Sequence, residues 1–394
     1  MFDLVCFSHL RWDFVFQRPQ QLLTRCAKRH RVFFFEESVE GEGQARLESA
    51  SGGQNVEVLT PVLPRGTTAE EAEHLYAALV GRALAERAVT DYVLWYYTPL
   101  AVFLAQVLSP LAVVYDCMDE LSAFKGADPA LLSREKELFA NADVVFTGGH
   151  SLYEAKRGRH ANVYLLPSSV DVHHFRRARE EQLDPPDQAN LPHPRLGFCG
   201  VIDERMDLGL LEGVARARPD WQLVLVGPVA KLEEAELPRL PNIHYLGSKT
   251  YDRLPAYLAG WDVALLPFAR NDATRFISPT KTPEYLAAGR PVVSTSIEDV
   301  VRTYGSRGLC AIADDVPSFV AACERAMAKD GRERRLQRVD QFLSAMSWDE
   351  TWAFMERCVE AAMLANQEQL CSAGEGPLAR GTPLSTAELL VGET

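Results

Sequence analysis

The chain has 394 residues, of which 47% are hydrophobic and 24% are charged, and its formal net charge is −13. That length predicts two domains of about 150–200 residues rather than one core. The negative charge argues against a nucleic-acid partner, which would need a basic stripe, but it leaves open a local basic patch that touches a membrane surface.

Eight cysteines are scattered along the chain without a CxxC pair or a Cys/His cluster at zinc spacing. No apolar run reaches the ~18 residues of a membrane span, and the first residues have no signal-peptide layout. The sequence therefore predicts a cytoplasmic protein with reduced thiols, and peripheral contact with the inner face of the membrane stays open.

The first half alternates short apolar strands with helical patterns. Helices are predicted over 18–29, 69–87 and 100–108, and strands over 3–8, 31–37, 56–61, 92–97, 111–117, 142–148 and 162–168. Strands rich in Val, Leu and Phe that alternate with helices indicate a parallel sheet covered on both faces. We therefore predict a doubly wound, Rossmann-like α/β domain over residues 1–175.

Residues 176–195 are charged, rich in proline and without periodicity, which predicts an interdomain linker. A second doubly wound α/β domain is predicted over 196–346, followed by a long amphipathic helix over 347–370 and a disordered tail over 371–394. Two such domains should face each other across a cleft lined by the carboxyl ends of their strands, and a ligand belongs there.

The segment "SPTKTPEYLAAGRPVVST", residues 278–295, predicts a helix start followed by a strand. Lys281, with Thr280 before it, and Glu284 lie at the amino-terminal end of that helix. Free amides, the helix dipole and a lysine can hold a phosphate, and an ionised Glu284 can accept hydrogen bonds from both hydroxyls of a ribose. The alternative is a plain helix start with a solvated lysine.

Three further residues are candidates for the same ligand. Gly200 ends the first strand of the second domain, where the missing Cβ lets the backbone approach a ligand. Arg205 and Arg275 can reach a diphosphate, Arg275 with two parallel hydrogen bonds. For both arginines an ordinary solvated side chain is the alternative.

The second half resembles the nucleotide-binding domain of GT-B-fold glycosyltransferases of the group 1 class. The resemblance is carried by "LGFCGVIDERMD", "WQLVLVGP", "NIHYLGSKTYDRLPAYLAGWDVALLPF" and "SPTKTPEYLAAGRPVVST". The first half is similar through "LLPSSVDVHHF", and "SHLRWDFVFQRPQQLL" with "VVYDCMDELSAF" resembles a bacterial subgroup that makes surface polysaccharides. The resemblance implies that Glu284 holds the donor ribose, that Lys281 holds the diphosphate, and that the last helix crosses back to the first domain.

Two positions depart from the pattern of that class. Phe276 stands where the class often has a Glu that contacts the donor sugar, and Val201 replaces the Arg that usually follows the first-strand glycine. Contacts with the donor sugar, and the choice between retention and inversion, therefore stay open.

The first domain is expected to bind the acceptor. The loop after its first strand supplies one catalytic candidate, His9, and four acceptor-binding candidates, Arg11, Trp12, Asp13 and Arg18. Asp116 and Asp119 follow another strand, and one of them can act as a base if the enzyme inverts or position the acceptor if it retains. Asp119 as a helix cap and His9 as a structural histidine are the alternatives.

The sequence thus predicts a glycosyltransferase that moves a sugar from a nucleotide-sugar donor, with UDP expected, to a glycan or lipid-linked acceptor in bacterial polysaccharide synthesis. It has no Asp-X-Asp triplet, so we predict that no metal and no further cofactor are needed. A sugar-nucleotide epimerase of similar fold and a non-catalytic scaffold that binds a nucleotide sugar are the alternatives.

Overall fold

A computed structural model describes residues 2–180, 182–328 and 331–372. Each half of the chain forms a sheet that is flanked by helices, and the strands of both sheets are parallel with one exception. The predicted α/β class is therefore confirmed.

The first sheet contains nine strands within the described residues, in the order β3-β5-β2-β1-β6-β7-β8-β9, with β4 paired to β5. The strands are β1 Asp3–Ser8, β2 Val32–Glu36, β3 Val39–Gly41, β4 Arg46–Gly53, β5 Val56–Pro64, β6 Tyr92–Tyr96, β7 Ala112–Cys117, β8 Val144–Thr147 and β9 Val163–Leu165. The central strands β1, β6 and β7 are buried almost throughout, which explains their nearly continuous apolar sequence.

Strands β3 and β4 were not predicted. Strand β4 pairs with β5 in the antiparallel direction at the edge of the sheet, and most of its residues are exposed. With neither face buried, the segment has no apolar alternation for a sequence pattern to reveal.

Five of the helices that cover this sheet belong to the first half of the chain: α1 Arg18–Cys26, α2 Ala69–Glu86, α3 Leu104–Val107, α4 Leu131–Asn141 and α5 His150–Lys156. Helix α2 begins at a capping box, in which the Thr68 hydroxyl accepts from the Glu71 amide and the Glu71 carboxylate accepts from the Thr68 amide. Its buried face then packs against the first domain's apolar core.

The segment between the sheets is not structureless. It contains α6 Val172–Arg176 and α7 Pro186–Ala189, which are too short to leave a periodic signal. The side chain of Arg195 is buried at the end of this segment and donates to the Leu191 carbonyl and to the Asp184 carboxylate. These contacts tie the segment to the second domain.

The second sheet contains six parallel strands within the described residues, in the order β12-β11-β10-β13-β14-β15. They are β10 Arg195–Cys199, β11 Gln222–Val226, β12 Ile243–Tyr245, β13 Val263–Leu266, β14 Val292–Ser294 and β15 Ala311–Ile312. The helices around them are α8 Leu208–Ala217, α9 Leu254–Ala259, α10 Lys281–Ala287, α11 Glu298–Thr303, α12 Val316–Met327 and α13 Arg332–Leu343.

The last helix, α14 Trp348–Ser372, packs on the apolar core of the first domain. Trp348 and Trp352 are buried, and the Trp352 ring lies 5.9 Å from that of Trp95 in β6. The final residues of the predicted tail, 373–394, lie outside the described part of the chain.

Candidate active site

A cleft opens between the two sheets and contains about 1140 Å³ of space, including solvent at its mouth. The first domain contributes the loop 14–18, Met118, Asp119 and Ser168. The second contributes 199–201, Arg205, 226–228, 248–249, Tyr251 and 277–281, together with several apolar residues. A concave site of this size that joins apolar walls to a few polar groups is typical of small-molecule binding sites.

Two glycines shape the second domain's wall, one after β10 and one after β11. Gly200 has φ 156° and Gly227 has φ 146°. A Cβ on Gly227 would lie 1.9 Å from the carbonyl oxygen of Gly200, so no larger residue fits there. The two strand ends therefore place glycine backbone at the cleft.

Lys281 and Glu284 form an ion pair at the start of α10. The Nζ atom of Lys281 lies 3.0 Å from Oε2 of Glu284, and both side chains are largely buried. Burial alone would lower the pKa of Lys281, but the Glu284 carboxylate outweighs it and that pKa is raised. Lys281 and Thr280 line the cleft, whereas the buried Glu284 does not.

A tyrosine that sequence reasoning missed joins this helix to β10. The hydroxyl of Tyr285 donates to the Cys199 carbonyl at 3.1 Å and accepts from the Cys199 amide at 2.7 Å. Because Tyr285 is buried and follows Glu284 directly, the bond holds the Lys281–Glu284 pair beside Gly200. The sequence does not reveal this role of Tyr285, because an aromatic residue in an apolar helix is ordinarily a packing residue.

The two candidate arginines are placed differently. Arg205 lines the cleft, and its guanidinium binds both carboxylate oxygens of the buried Asp203. The exposed Arg275 lies 5.1 Å from the centre of the Phe276 ring and does not line the cleft. The structure therefore does not bring Arg275 to the ligand site that was predicted for it.

Asp119 lines the cleft from the first domain, opposite Lys281. Its half-buried carboxylate has no hydrogen-bond partner in the described part of the chain. Burial raises the pKa of Asp119 to about 6, even though the charge of Arg205 opposes that rise. A carboxylate with a pKa near physiological pH suits proton transfer.

Asp116 and Arg18, predicted as a catalytic residue and an acceptor ligand, instead bind each other. The Asp116 carboxylate accepts from Nε and Nη2 of Arg18 at 2.8–3.1 Å, and both side chains are at most 1% exposed. Arg18 also donates to the Leu166 carbonyl. Arg18 lines the cleft, whereas the Asp116 carboxylate is fully buried against Arg18 and does not line it.

The other loop candidates also have structural partners. Arg11 pairs with Glu36 at 2.7 Å, and the Trp12 amide donates to the same carboxylate. Trp12 is buried, with its ring 5.0 Å from that of Phe34 in β2. Neither side chain lines the cleft.

His9 and Asp13 also lie outside the cleft lining. Burial lowers the pKa of His9 to about 4, so its imidazole is neutral at physiological pH. The buried Nδ1 atom of His9 has no partner among the described residues. Asp13 is exposed at the tip of the loop.

Residues that the sequence did not single out complete the cleft. Phe14 and Phe16 are 44% and 38% exposed at its mouth. The Phe16 ring lies 4.5 Å from that of Tyr251 in the other domain, and the Tyr251 ring stacks on His174 at 4.2 Å. This contact between the domains depends on tertiary placement, which no local pattern shows.

The model of the family glycosyl transferases group 1 matches residues 193–329. These residues are a group 1 glycosyltransferase domain. The match covers both glycine turns and the Lys281–Glu284 pair. The second half of the chain thus contains the glycosyltransferase domain that the sequence predicted.

Known relatives of this glycosyltransferase agree with that assignment. One relative is the teichuronic acid biosynthesis glycosyltransferase TuaH of Bacillus subtilis (strain 168). It is 25% identical to this chain over 279 residues, which cover 65% of this chain and 68% of that protein.

Solved structures show the fold of this glycosyltransferase. Sucrose-phosphate synthase from Thermosynechococcus elongatus superimposes with a TM-score of 0.71 at 14% identity, over 93% of this chain and 100% of that one. A trehalose-6-phosphate structure from E. coli, bound with UDP-2-fluoro glucose, superimposes with a TM-score of 0.67 at 13% identity, over 91% of this chain and 99% of that one. Both likenesses confirm the predicted GT-B fold.

The described residues contain no group of three His, Cys, Asp or Glu side chains that could hold a metal ion. No helix among them is long and apolar enough to cross a membrane.

Proposed function

We propose that this glycosyltransferase moves a sugar from a nucleotide diphosphate donor, with UDP as the nucleotide, to a hydroxyl group of a bacterial glycan or glycolipid. The observation that carries the proposal is the placement of Lys281 and Asp119, which line one cleft from opposite domains. A cation on one wall and an unpaired carboxylate on the other match the two charges that develop when a glycosyl group leaves a diphosphate.

The second domain would bind the donor. Lys281 neutralises the leaving diphosphate, and the backbone beside Gly200 approaches it without obstruction. Oε1 of Glu284 has no hydrogen-bond partner within the described residues, so it can accept from a ribose hydroxyl while Oε2 keeps Lys281 in place. Arg205 adds positive charge, although Asp203 compensates part of it.

The first domain would orient the acceptor. Asp119 accepts the proton of the attacking hydroxyl if the reaction inverts, and it positions that hydroxyl if the reaction retains configuration. The exposed rings of Phe14 and Phe16 offer an apolar surface to the face of a sugar or to a lipid-linked acceptor. In either case a bound donor and acceptor would displace water from the cleft, and water would otherwise compete as acceptor.

The relatives support a donor with UDP and an acceptor in polysaccharide synthesis. The E. coli structure was solved with a UDP-sugar analogue, and the Bacillus relative is named for a cell-wall polymer. Both names belong to other proteins. For this chain, a UDP-sugar donor and a cell-wall glycan acceptor are therefore the first substrates to test.

Peripheral membrane contact is part of the proposal. The basic residues near the first helix are already paired with acids of α14, since Lys28 binds Asp349 and Arg29 binds Glu356. We therefore expect any contact to be weak, and sedimentation with anionic vesicles measures it directly.

Incubation with a panel of UDP-sugars tests the function. Transfer to an added glycan acceptor supports the proposal, whereas formation of an epimer indicates an epimerase. Binding of UDP without transfer, hydrolysis or epimer would indicate a scaffold. Activity that persists after treatment with a chelator would support the prediction that no metal is needed.

A further inference from the structure

Helix α5 of the first domain receives its amino-terminal cap from the second domain. The carboxylate of Asp299, in α11, accepts from the His150 amide at 2.8 Å and from the Ser151 amide at 2.9 Å. Asp299 is 2% exposed. Two amides that an isolated helix would expose to water are thus bound across the domain boundary.

The backbone at this contact is closely packed. A Cβ on Gly149 would lie 2.2 Å from Oδ2 of Asp299 and 2.7 Å from Cβ of Ser278. Ser278 itself lines the cleft, in the loop that leads to Lys281. The cap of α5 therefore forms where the donor-binding loop meets the first domain.

The other end of α5 holds the loop that carries Asp119. Lys156, the last residue of the helix, is buried, and its Nζ lies 2.6 Å from Oε2 of Glu120 and 2.7 Å from Oε1 of Glu135. Glu120 directly follows Asp119. Because the Asp119 side chain has no bond of its own in the described part of the chain, the position of this loop decides where its carboxylate points.

We propose that Asp299 is a positioning residue for the transfer reaction. By capping α5 from the opposite domain it holds the cleft closed, and through Lys156 and Glu120 it places Asp119 opposite the donor. The proposal rests on the proposed function for the role of Asp119. The closing role of Asp299 is independent of that function, since it concerns the shape of the molecule.

The test compares Asp299→Ala with Asp315→Ala. Asp315 caps α12 in the same way, because its carboxylate accepts from the Ser318 amide at 2.8 Å, but this bond lies within the second domain. Small-angle scattering gives the radius of gyration, calorimetry gives the affinity for UDP, and steady-state kinetics give kcat. Glu120→Gln tests the connection to Asp119.

Asp299→Ala should increase the radius of gyration and lower kcat by about 10- to 100-fold, with unchanged affinity for UDP. Asp299→Asn, which keeps one acceptor oxygen, should recover part of kcat. Glu120→Gln should lower kcat at an unchanged radius of gyration, and Asp315→Ala should change neither quantity.

A radius of gyration in Asp299→Ala equal to that of Asp315→Ala would overturn the closing role. Wild-type kcat in Glu120→Gln would overturn the connection through α5. Failure of the wild-type protein to bind UDP would instead count against the proposed function, and the scattering comparison would still decide the role of Asp299.

Discussion

The Nζ atom of Lys281 lies 3.0 Å from Oε2 of Glu284, one turn along the same helix, and this largely buried ion pair lies beside the cleft. In the proposed function a diphosphate in the cleft would contact Lys281, which lines the cleft, and not Glu284, which does not. The carboxylate therefore holds the ammonium group in position before the ligand arrives.

Lys281→Met should weaken UDP binding by about 10- to 100-fold, the loss expected for one hydrogen bond to a charged group. It should also lower the melting temperature, because Glu284 is left buried without its partner. Calorimetry and thermal denaturation measure the two effects.

Lys249→Met is the matched control, since Lys249 also lines the cleft but is bound to Asp187 at 2.7 Å. Adding Glu284→Gln to Lys281→Met should restore stability without restoring affinity. Equal affinities for UDP in the two lysine variants would contradict the role assigned to Lys281.

Asp119→Asn should abolish most of the transfer activity and leave UDP binding intact. In the wild-type enzyme, kcat/KM should fall as the pH drops below about 6, because protonation of Asp119 removes the carboxylate that deprotonates or positions the acceptor hydroxyl. A pH profile of both proteins tests this. Wild-type rates in Asp119→Asn would remove this residue from the mechanism.

The Asp119→Asn variant should also be more stable against unfolding than the wild type at neutral pH. Burial raises the pKa of Asp119 from 3.8 to about 6, so the folded state pays for a desolvated charge above that pH. The difference corresponds to at most about 3 kcal/mol above pH 6, decreases as the pH falls from 6 toward 3.8, and should vanish only well below pH 3.8, where the carboxyl group is protonated in both the folded and the unfolded state. Denaturant unfolding at pH 5 and pH 8 measures this trend.

Asp116→Asn should cost stability, by about 3–5 kcal/mol, because Arg18 loses its partner in a buried site. The folded fraction should still bind UDP. Asp13→Asn is the control, since the exposed Asp13 should change stability by less than about 0.5 kcal/mol. Full stability in Asp116→Asn would show that this pair is not structural.

Gly227→Ala should destabilise the second domain by at least about 1–2 kcal/mol and weaken UDP binding, because the added Cβ meets the Gly200 carbonyl. Gly209→Ala, inside helix α8, is the control, because a Cβ added there would lie 3.5 Å from its nearest neighbour, Oδ1 of Asp207. Unchanged affinity and melting temperature in Gly227→Ala would contradict this account of the glycine turn.

The sequence by itself determined the α/β class, the positions of the buried strands and the motif that contains Lys281 and Glu284. These features are local, since apolar runs, glycines at strand ends and prolines at a helix start act over a few residues. The exposed strand β4 escaped prediction because it buries neither face.

Tertiary structure decided which polar side chains face the cleft. Asp116 and Asp119 are three residues apart, yet one is neutralised by Arg18 from a distant helix and the other stays unpaired in the described chain. The cap that Asp299 places on α5 joins residues about 150 positions apart in the same way. Such pairings depend on how two sheets and their connections pack, and that packing has no local signature in the sequence.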